Sequence, residues 1–399
     1  MSQQRTHVVV IGGGYAGTLA ANRLRRRPDL EITLVNPRPD FVERIRLHQL
    51  AAGTGTATTG YDSLLGTGIQ LLVDTATRID TGTRTIHTAA GAELTYDYLI
   101  YAVGSTAAPG SAVPGSAVPG SAVPGSAESA CSVAELEQAQ RLRAALAGTA
   151  ANAPVTVVGA GLTGLETAAE LAEQGRTVRL ICGGVLGPAL SAPGRRAVTT
   201  RLRRLGVEVL DTAVVGEVRR EAVVLGDGTV LPSAVTVWTA GFGVPDLARV
   251  SGLTTDELGR LRTDETLTSV DDDRVIAAGD AAAPSGQPLR MSCQAAIPLG
   301  AQAADTVLSR LAGDIAAPID QAFVGSAIGL GRRGAVIQVA RRDDTPVEAF
   351  LAGRVAATVK EAICKGTLWQ IRREARKPGA ALWLKGGRKA GTAAATAPR

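Results

Sequence analysis

The chain is short of several things that would point to particular chemistries. Aromatic residues make up only 3% of its 399 residues, which leaves few platforms on which single-stranded nucleic acid could stack. Only three histidines occur, His7, His48 and His87, and none is paired at metal-ligand spacing, so no metal site is expected. The four cysteines, Cys131, Cys182, Cys293 and Cys364, stand alone in the sequence. No CxxC is present, which excludes a sequence-adjacent redox dithiol or zinc knuckle and makes a reducing cytoplasm the simplest location. No GxSxG elbow and no Walker lysine occur. The N-terminal run THVVVIGGG is too short and too Gly-rich for an export segment. One uncharged stretch, Tyr98 to Ala127, is long enough to span a bilayer, but prolines at 109, 114, 119 and 124, each followed by glycine, rule it out as a helix.

Lysine is missing from the first 359 residues. Residues 354–399 hold eleven Lys or Arg and two Glu, a net +9, so the first 353 carry −4 of the total +5. The pI of about 9.2 therefore describes a basic tail on a mildly acidic body, and nucleic acid is not expected as a partner. A chain of this length with 45% apolar residues holds two or three domains with real cores.

Two stretches share one plan. HVVVI is a continuous apolar run, as a strand buried on both faces of a parallel sheet requires. Gly12, Gly14 and Gly17 follow, then a helix through TLAANRLRRR with Pro28 beyond it, then the strand EITLVN. The second stretch, VTVVGAGLTGLETAAELAEQGRTVRLIC, repeats strand, Gly turn, amphipathic helix, a capping Gly175 and strand, with Gly159, Gly161 and Gly164 in the three glycine places. One GxGxxG is a weak signal; two, each between a buried strand and a helix, are a strong one. In such a turn the first glycine allows the tight bend and the second lets backbone N–H groups approach a pyrophosphate. The third lets helix and strand pack closely. Two cradles imply two dinucleotides, one a bound cofactor and one a substrate. In redox chemistry these are FAD with NADH or NADPH.

Between the units lies PGSAV in tandem, residues 109–128, with no charge before Glu128 and no large side chain. It is expected to be a linker that buries no core. Further on, GDGT at 226–229 predicts a hairpin. MSCQAAIPLGAQAADTVLSRLAG predicts a helix, AVIQVARRDD a strand, and a basic helix closes the chain.

With these motifs in order, the sequence resembles the two-dinucleotide-binding-domain flavoproteins, and in particular type II NADH dehydrogenases and their apoptosis-inducing-factor-like relatives, over roughly residues 7–365. The carrying segments are VVVIGGGYAG, YDYLIYAVGS (96–105), VVGAGLTGLETAAEL, TVWTAG (236–241), VIAAGDAA (275–282) and CQAAIPLGAQAA (293–304). The resemblance implies an α/β fold of two Rossmann-like domains in a glutathione-reductase-like arrangement, with a small C-terminal region. The FAD domain would be discontinuous, 1–108 and 262–325, the NAD(P)H domain 129–261, and the C-terminal region 326–399. It also implies FAD contacts from Gly12, Gly14, Tyr15, Ala16, Gly17, Asn36, Pro37, Arg44, Ala102, Gly104, Gly279, Asp280, Ala295 and Ala296. NAD(P)H contacts would come from Gly159, Gly161, Thr163, Gly164 and Gly241. Glu166 would sit near nicotinamide and acceptor and manage a proton, and Gln294 would face the acceptor. Electrons would pass from NAD(P)H through the flavin to a quinone-like acceptor, since no paired cysteines stand ready to take them.

Three departures qualify the resemblance. Cys293 and Pro298 differ from the family's usual pattern beside the flavin, which leaves the acceptor open. Asn36 stands where a carboxylate usually binds the FAD ribose. Cys182 stands at the corresponding place of the NAD(P) unit, with Arg176, Arg179, Arg195 and Arg196 nearby in sequence, so acceptance of NADPH and strict use of NADH both stay open. His48 falls where the family chain passes near the flavin, although a packing role is the simpler reading. In the tail, Val355, Val359 and Ile363 have helical spacing, extended by Leu368, Trp369 and Ile371, and ALWL at 381–384 adds Trp383. That pattern suits a helix lying on an anionic membrane, at the inner face of the cell membrane, or equally one packed on the FAD domain. A homodimer is open. The alternatives are a reductase of a small redox protein or biosynthetic substrate, and an NAD(P)H-sensing flavoprotein with little turnover.

Overall fold

The computed structural model describes residues 5–107 and 123–387. In chain order, the strands and helices that frame the molecule begin with β1 (Thr6–Ile11), α1 (Tyr15–Leu24), β2 (Leu30–Asn36), α2 (Leu47–Ala52), β3 (Ile69–Val73) and β4 (Tyr98–Tyr101). The second group is β5 (Ala130–Ser132), β6 (Pro154–Val158), α3 (Leu162–Glu173), β7 (Thr177–Ile181), α4 (Ala192–Arg204), β8 (Glu208–Leu210) and β9 (Val235–Trp238). The chain then supplies β10 (Val275–Ala277), α5 (Cys293–Ala312), β11 (Gly325–Gly329), β12 (Ala335–Ala340), β13 (Pro346–Gly353) and α6 (Arg354–Arg376).

Two five-stranded parallel sheets share one order. The first runs β10-β4-β1-β2-β3 and the second β5-β9-β6-β7-β8. In each, the strand before the glycine turn is central and its successor lies beside it, as right-handed crossovers require. The fifth strand differs in origin. The second sheet takes it from just upstream, β5, and the first from residues 275–277, after the whole second unit has been built. Strands β1, β6 and β9 are buried on both faces, as their Val-rich runs, unbroken by charge, require.

Helices α1 and α5 cross tightly against the first sheet. A Cβ on Gly300 would collide with the backbone of Ala16, and Ala20, Ala301 and Ala304 are fully buried. The small residues of CQAAIPLGAQAA thus serve helix packing. Pro298 lies inside α5 and is buried. Gly366 does not interrupt α6, which runs 23 residues; packing of Cys364, Leu368 and Ile371 outweighs its propensity cost of about 1 kcal/mol. The GDGT hairpin forms, with the Leu225 N–H donating to the Thr229 carbonyl. The first expected helix starts earlier than its apolar pattern indicated and ends at Leu24, with the N–H of Arg25 bonded to Asn22.

The tandem repeat divides. Residues 108–122 lie outside the described residues. Its described end, 123–128, is no coreless linker: Val123 is buried with Val215, Val218 and Trp238, and the Pro124 carbonyl accepts from the Val218 N–H. A Cβ on Gly125 would strike the Val218 carbonyl. Small residues bury nothing on their own, but here they let the chain lie flat on an existing core.

The tail is folded back. Leu368 and Ile371 face the first core, and Glu374, fully buried, pairs with Arg23 and accepts from the N–H groups of Gly379 and Ala381. Trp383 does not extend an outer apolar patch: its indole donates to the Asp320 carbonyl and its ring lies under the Arg23 guanidinium. Val355, Val359, Ile363 and Trp369 remain exposed. Among the described residues, no helix is long and apolar enough to cross a membrane.

Candidate active site: two cradles and a charged seam

The turn after β1 is shaped by contacts that only glycine permits. Gly12 has φ 101° and a Cβ there would strike the Ala102 carbonyl. A Cβ on Gly17 would strike the Gly12 carbonyl, while Gly14 faces open space. The N-terminus of α1 carries no side-chain cap, so its N–H groups are left for a ligand. They open on a cavity of about 320 Å³. Of the residues expected to touch a flavin dinucleotide, the cavity is lined by Gly12, Gly14, Tyr15, Ala16, Asn36, Pro37, Arg44, Ala102, Gly104, Gly279, Asp280 and Ala296. Gly17 and Ala295 lie behind the lining; the N–H of Ala295 is capped by the Ser292 hydroxyl at 3.2 Å.

The cavity has a charged end. The Asp280 carboxylate accepts from Ser105 Oγ at 2.7 Å and from the Ser292 N–H at 3.1 Å, with Arg44 at 3.8 Å. Arg44 in turn donates to Ser105 Oγ and to the Ala134 carbonyl. Asn36 is more engaged than a free diol binder would be: its Oδ1 accepts from the Gly13 N–H at 2.9 Å and its Nδ2 donates to the Arg38 carbonyl at 2.7 Å. Tyr61 donates to the Gly13 carbonyl at 2.6 Å. Tyr61 lies outside every motif, and Gly13 and Ser105 lie within VVVIGGGYAG and YDYLIYAVGS without being singled out, because the side chains that meet them come from other segments. A glycine-walled cavity with a helix N-terminus at one end and an Asp–Arg pair within suits a dinucleotide's pyrophosphate and polyol.

The second cradle has the same backbone. Gly159 has φ 104° and a Cβ there would crowd Ala240; a Cβ on Gly164 would strike the Gly159 carbonyl; Gly161 faces open space. Thr239 Oγ1 donates to the Val158 and Gly159 carbonyls and fixes the turn. Thr163 lies in the first turn of α3, and Gly241 follows β9 with φ 78°. At the end of β7, Cys182 is buried and its thiol lies 3.8 Å from an Asp211 carboxylate oxygen. Burial, then that carboxylate, push the thiol up to about 12. Three of the four arginines expected to attract a 2′-phosphate are engaged elsewhere. Arg176 caps the helix Leu136–Ala147 by donating to the carbonyls of Leu146 and Thr149. Arg179 pairs with Glu208 at 2.8 Å, and Arg195 donates to the Leu190 carbonyl.

Between the cradles runs a charged seam. Glu166, on α3, is ion-paired with Lys360, on α6, and accepts from the Gly329 N–H at 2.8 Å. Lys360 also donates to the Ala327 carbonyl at 2.9 Å. Both side chains are largely buried. Burial acts to neutralise each, but the Lys360 charge, with His48 and the Gly329 N–H, holds Glu166 below the usual carboxylate range, and Glu166 holds Lys360 above the usual amine range. The pair is therefore ionised. His48 Nδ1 lies 3.9 Å from Glu166, and burial lowers its pKa to about 4, so it is neutral at pH 7. His48 thus has a buried polar neighbour, where a surface or packing role was the simpler expectation. Gln294 does not point at an open site: its amide, oriented to satisfy its partners, donates to the Gly325 carbonyl at 3.0 Å and accepts from the Val324 N–H at 3.1 Å. Lys360 was missed because nothing in sequence links it to Glu166, 194 residues away.

The cysteines do not form a disulfide; all four are free. Cys293 is within electrostatic reach of Cys364, and burial followed by that neighbour raises it to about 11. Burial raises Cys364 as well. These thiols stay protonated near neutrality, the opposite of a redox-active thiolate.

The description "Pyridine nucleotide-disulphide oxidoreductase" matches residues 6–300, which span both cradles. The chain belongs to this family. An NADH dehydrogenase-like protein of Mycobacterium tuberculosis is 31% identical over 366 residues, covering 83% of this chain and 87% of the relative. The type II NADH:quinone oxidoreductase of Staphylococcus haemolyticus is 25% identical over 416 residues, 93% of this chain and 97% of the relative. Among solved structures, the sulfide:quinone oxidoreductase of Aquifex aeolicus superposes with a TM-score of 0.77 at 20% identity, covering 92% of each chain. The last likeness shows that this oxidoreductase shares the two-domain fold.

Proposed function

We propose that this family member is an FAD-dependent NADH:quinone oxidoreductase. The observation that carries the reading is the pair of matched cradles, the first opening on a cavity of about 320 Å³ lined by both parts of the first unit, joined by an ionised seam and without a reactive dithiol. The similarity to NADH dehydrogenase-like and type II NADH:quinone oxidoreductase relatives supports it. The first cradle would hold FAD, with the pyrophosphate on the N-terminus of α1 and the polyol near Asp280 and Arg44. Bound FAD supplies the two-electron carrier between nicotinamide and quinone. The second cradle would bind the NADH pyrophosphate on the N-terminus of α3. Each turnover takes a hydride from NADH and a proton from water and leaves NAD⁺ and quinol. Lys360 Nζ keeps a proton beside the carboxylate of Glu166, and the neutral His48 does not compete for it. Glu166 and Lys360 are thus the groups proposed to manage the proton. Gln294 instead ties α5 to β11.

An anaerobic titration tests the reading. The purified protein, loaded with FAD, is expected to show a flavin band that bleaches on mixing with NADH and returns on adding a soluble quinone. A protein that binds no flavin after FAD is added would overturn the assignment of the first cradle. Bleaching without return by quinones would move the acceptor to a redox protein or biosynthetic substrate.

A peripheral membrane site is part of the proposal. Val355, Val359, Ile363 and Trp369 form an exposed stripe on α6 beside Lys365, Arg372 and Arg373. Such a stripe suits an anionic lipid surface that holds quinone. Flotation with anionic vesicles should recover the protein, and Val359→Asp with Ile363→Asp should abolish recovery without loss of flavin. Equal recovery of the variant would remove the membrane from the proposal.

A further inference from the structure

The usual reader of a nicotinamide coenzyme's adenosine ribose is a carboxylate at the end of the second strand, where it accepts both hydroxyls of the diol and repels a 2′-phosphate. That place is Cys182, a buried thiol that stays protonated. The sheet brings a carboxylate to it from the side. Strands β7 and β8 are parallel neighbours with Ile181 opposite Leu210. The next residues continue the pairing: the Cys182 N–H donates to the Leu210 carbonyl at 3.0 Å, and the Gly184 N–H to the Asp211 carbonyl at 2.9 Å. Asp211 therefore stands beside Cys182 at the end of the sheet where the glycine turn leaves β6, whose Gly159 N–H bonds to the Ile181 carbonyl at 2.9 Å. The Asp211 side chain is exposed, and its described hydrogen bond comes from the Cys182 thiol. No Lys or Arg among the described residues forms an ion pair with it, while Arg176, Arg179 and Arg195 are held by other partners.

We propose that Asp211, supplied by the third strand, reads the 2′ position of the adenosine ribose and makes this chain select NADH over NADPH. Cys182 acts as its positioning residue, holding the carboxylate at the ribose edge through the thiol. This rests on the reading that the second cradle binds the nicotinamide coenzyme. A carboxylate can accept from a diol, whereas a phosphate carrying nearly two negative charges is repelled by it.

Binding of NAD⁺ and NADP⁺ to the oxidised, FAD-loaded protein, measured by calorimetry, separates this from turnover. The wild type is expected to bind NAD⁺ more tightly by about tenfold or more, the factor of one charged hydrogen bond. Asp211→Asn should narrow that ratio by about tenfold, through weaker NAD⁺ and stronger NADP⁺ binding. Its flavin content and melting temperature should not change, because the side chain is exposed. Adding Cys182→Asp to Asp211→Asn should restore the preference by returning a carboxylate to the neighbouring strand end. An unchanged ratio in Asp211→Asn would overturn the proposal. So would a ratio that responds to Arg196→Ser and not to Asp211→Asn, since it would place selection on α4. A wild type that binds neither coenzyme while keeping its flavin would overturn the coenzyme reading of the second cradle itself.

Discussion

The two cradles have the same backbone and different surroundings. Gly12 and Gly159 share a φ near 100°, Gly14 and Gly161 face open space, and Gly17 and Gly164 would each strike the first glycine's carbonyl. They part at the residue after the first glycine. In the first cradle this is Gly13, whose Cβ would run into the Tyr61 hydroxyl, and whose N–H and carbonyl are bound by Asn36 and Tyr61. In the second it is Ala160, whose carbonyl is bound by the Gly187 N–H. One turn is locked by two side chains from other segments. The other has backbone at this position, and one side chain, Thr239, holds the carbonyls of Val158 and Gly159 just before it. Under the proposed assignment the same local device seats a resident cofactor in the first unit and a substrate that leaves in the second, and the difference lies in the side chains that pack on the turn.

The largest lever on the pair is the seam that connects them. Lys360→Met would strand the buried Glu166 charge and should cost about 3–5 kcal/mol in urea unfolding of the FAD-loaded protein. Most of that should return in the double variant with Glu166→Gln, and additive losses would show that the two side chains do not act as a pair. Next in size are the third glycines. Gly17→Ala should cost about 3 kcal/mol through overpacking and yield protein without flavin. Gly164→Ala, with the same clash, should keep its flavin and lose reduction by limiting NADH. Flavin loss in both variants would erase the distinction between a resident and a visiting ligand.

Acid provides a third test. The folded His48 has a pKa near 4, well below its ordinary 6.5, so the unfolded chain binds the extra proton as pH falls through that window. The stability of the neutral ring is complete above about 6.5 and is lost on acidification, by about 2 kcal/mol between about pH 7.5 and about pH 5. His48→Asn should flatten that slope; a slope unchanged in this variant would mean that Glu166, Lys360, Arg332 and Arg46 around the ring leave it free to protonate. Smaller still is the contrast at the second position of each turn. Gly13→Ala should weaken flavin retention by about 1–3 kcal/mol, partly relieved by Tyr61→Phe. Ala160→Gly should change stability by less than about 1 kcal/mol. Equal effects at the two positions would contradict the locked-versus-open difference.

Much of this was legible in the chain. The two glycine turns, their flanking strands and helices, and twelve of the residues that line the first cavity could be read ahead, because each motif is a local pattern of sterics and hydrophobic period. The tail shows the limit. Its helix was readable, but Leu368, Ile371 and Trp383 belong to the core, whereas Val355, Val359 and Ile363 do not, and helical spacing does not say which apolar stripe meets a partner. The arginines after the second cradle were misleading for a similar reason. Nearness in sequence placed them by Cys182, and the sheet directed Arg176 and Arg179 to other carbonyls and carboxylates.

By itself the sequence determined that two glycine turns of one shape exist and where, since the φ of Gly12 or Gly159 and the clash of Gly17 with Gly12 or Gly164 with Gly159 depend on residues a few positions apart. Only the tertiary structure decided which groups face each cradle. Asp211 reaches Cys182 across 29 residues and Lys360 reaches Glu166 across 194. Such meetings follow from sheet order and from a helix that returns from the end of the chain. No local pattern encodes them, because what selects them is the burial of the segments that carry them.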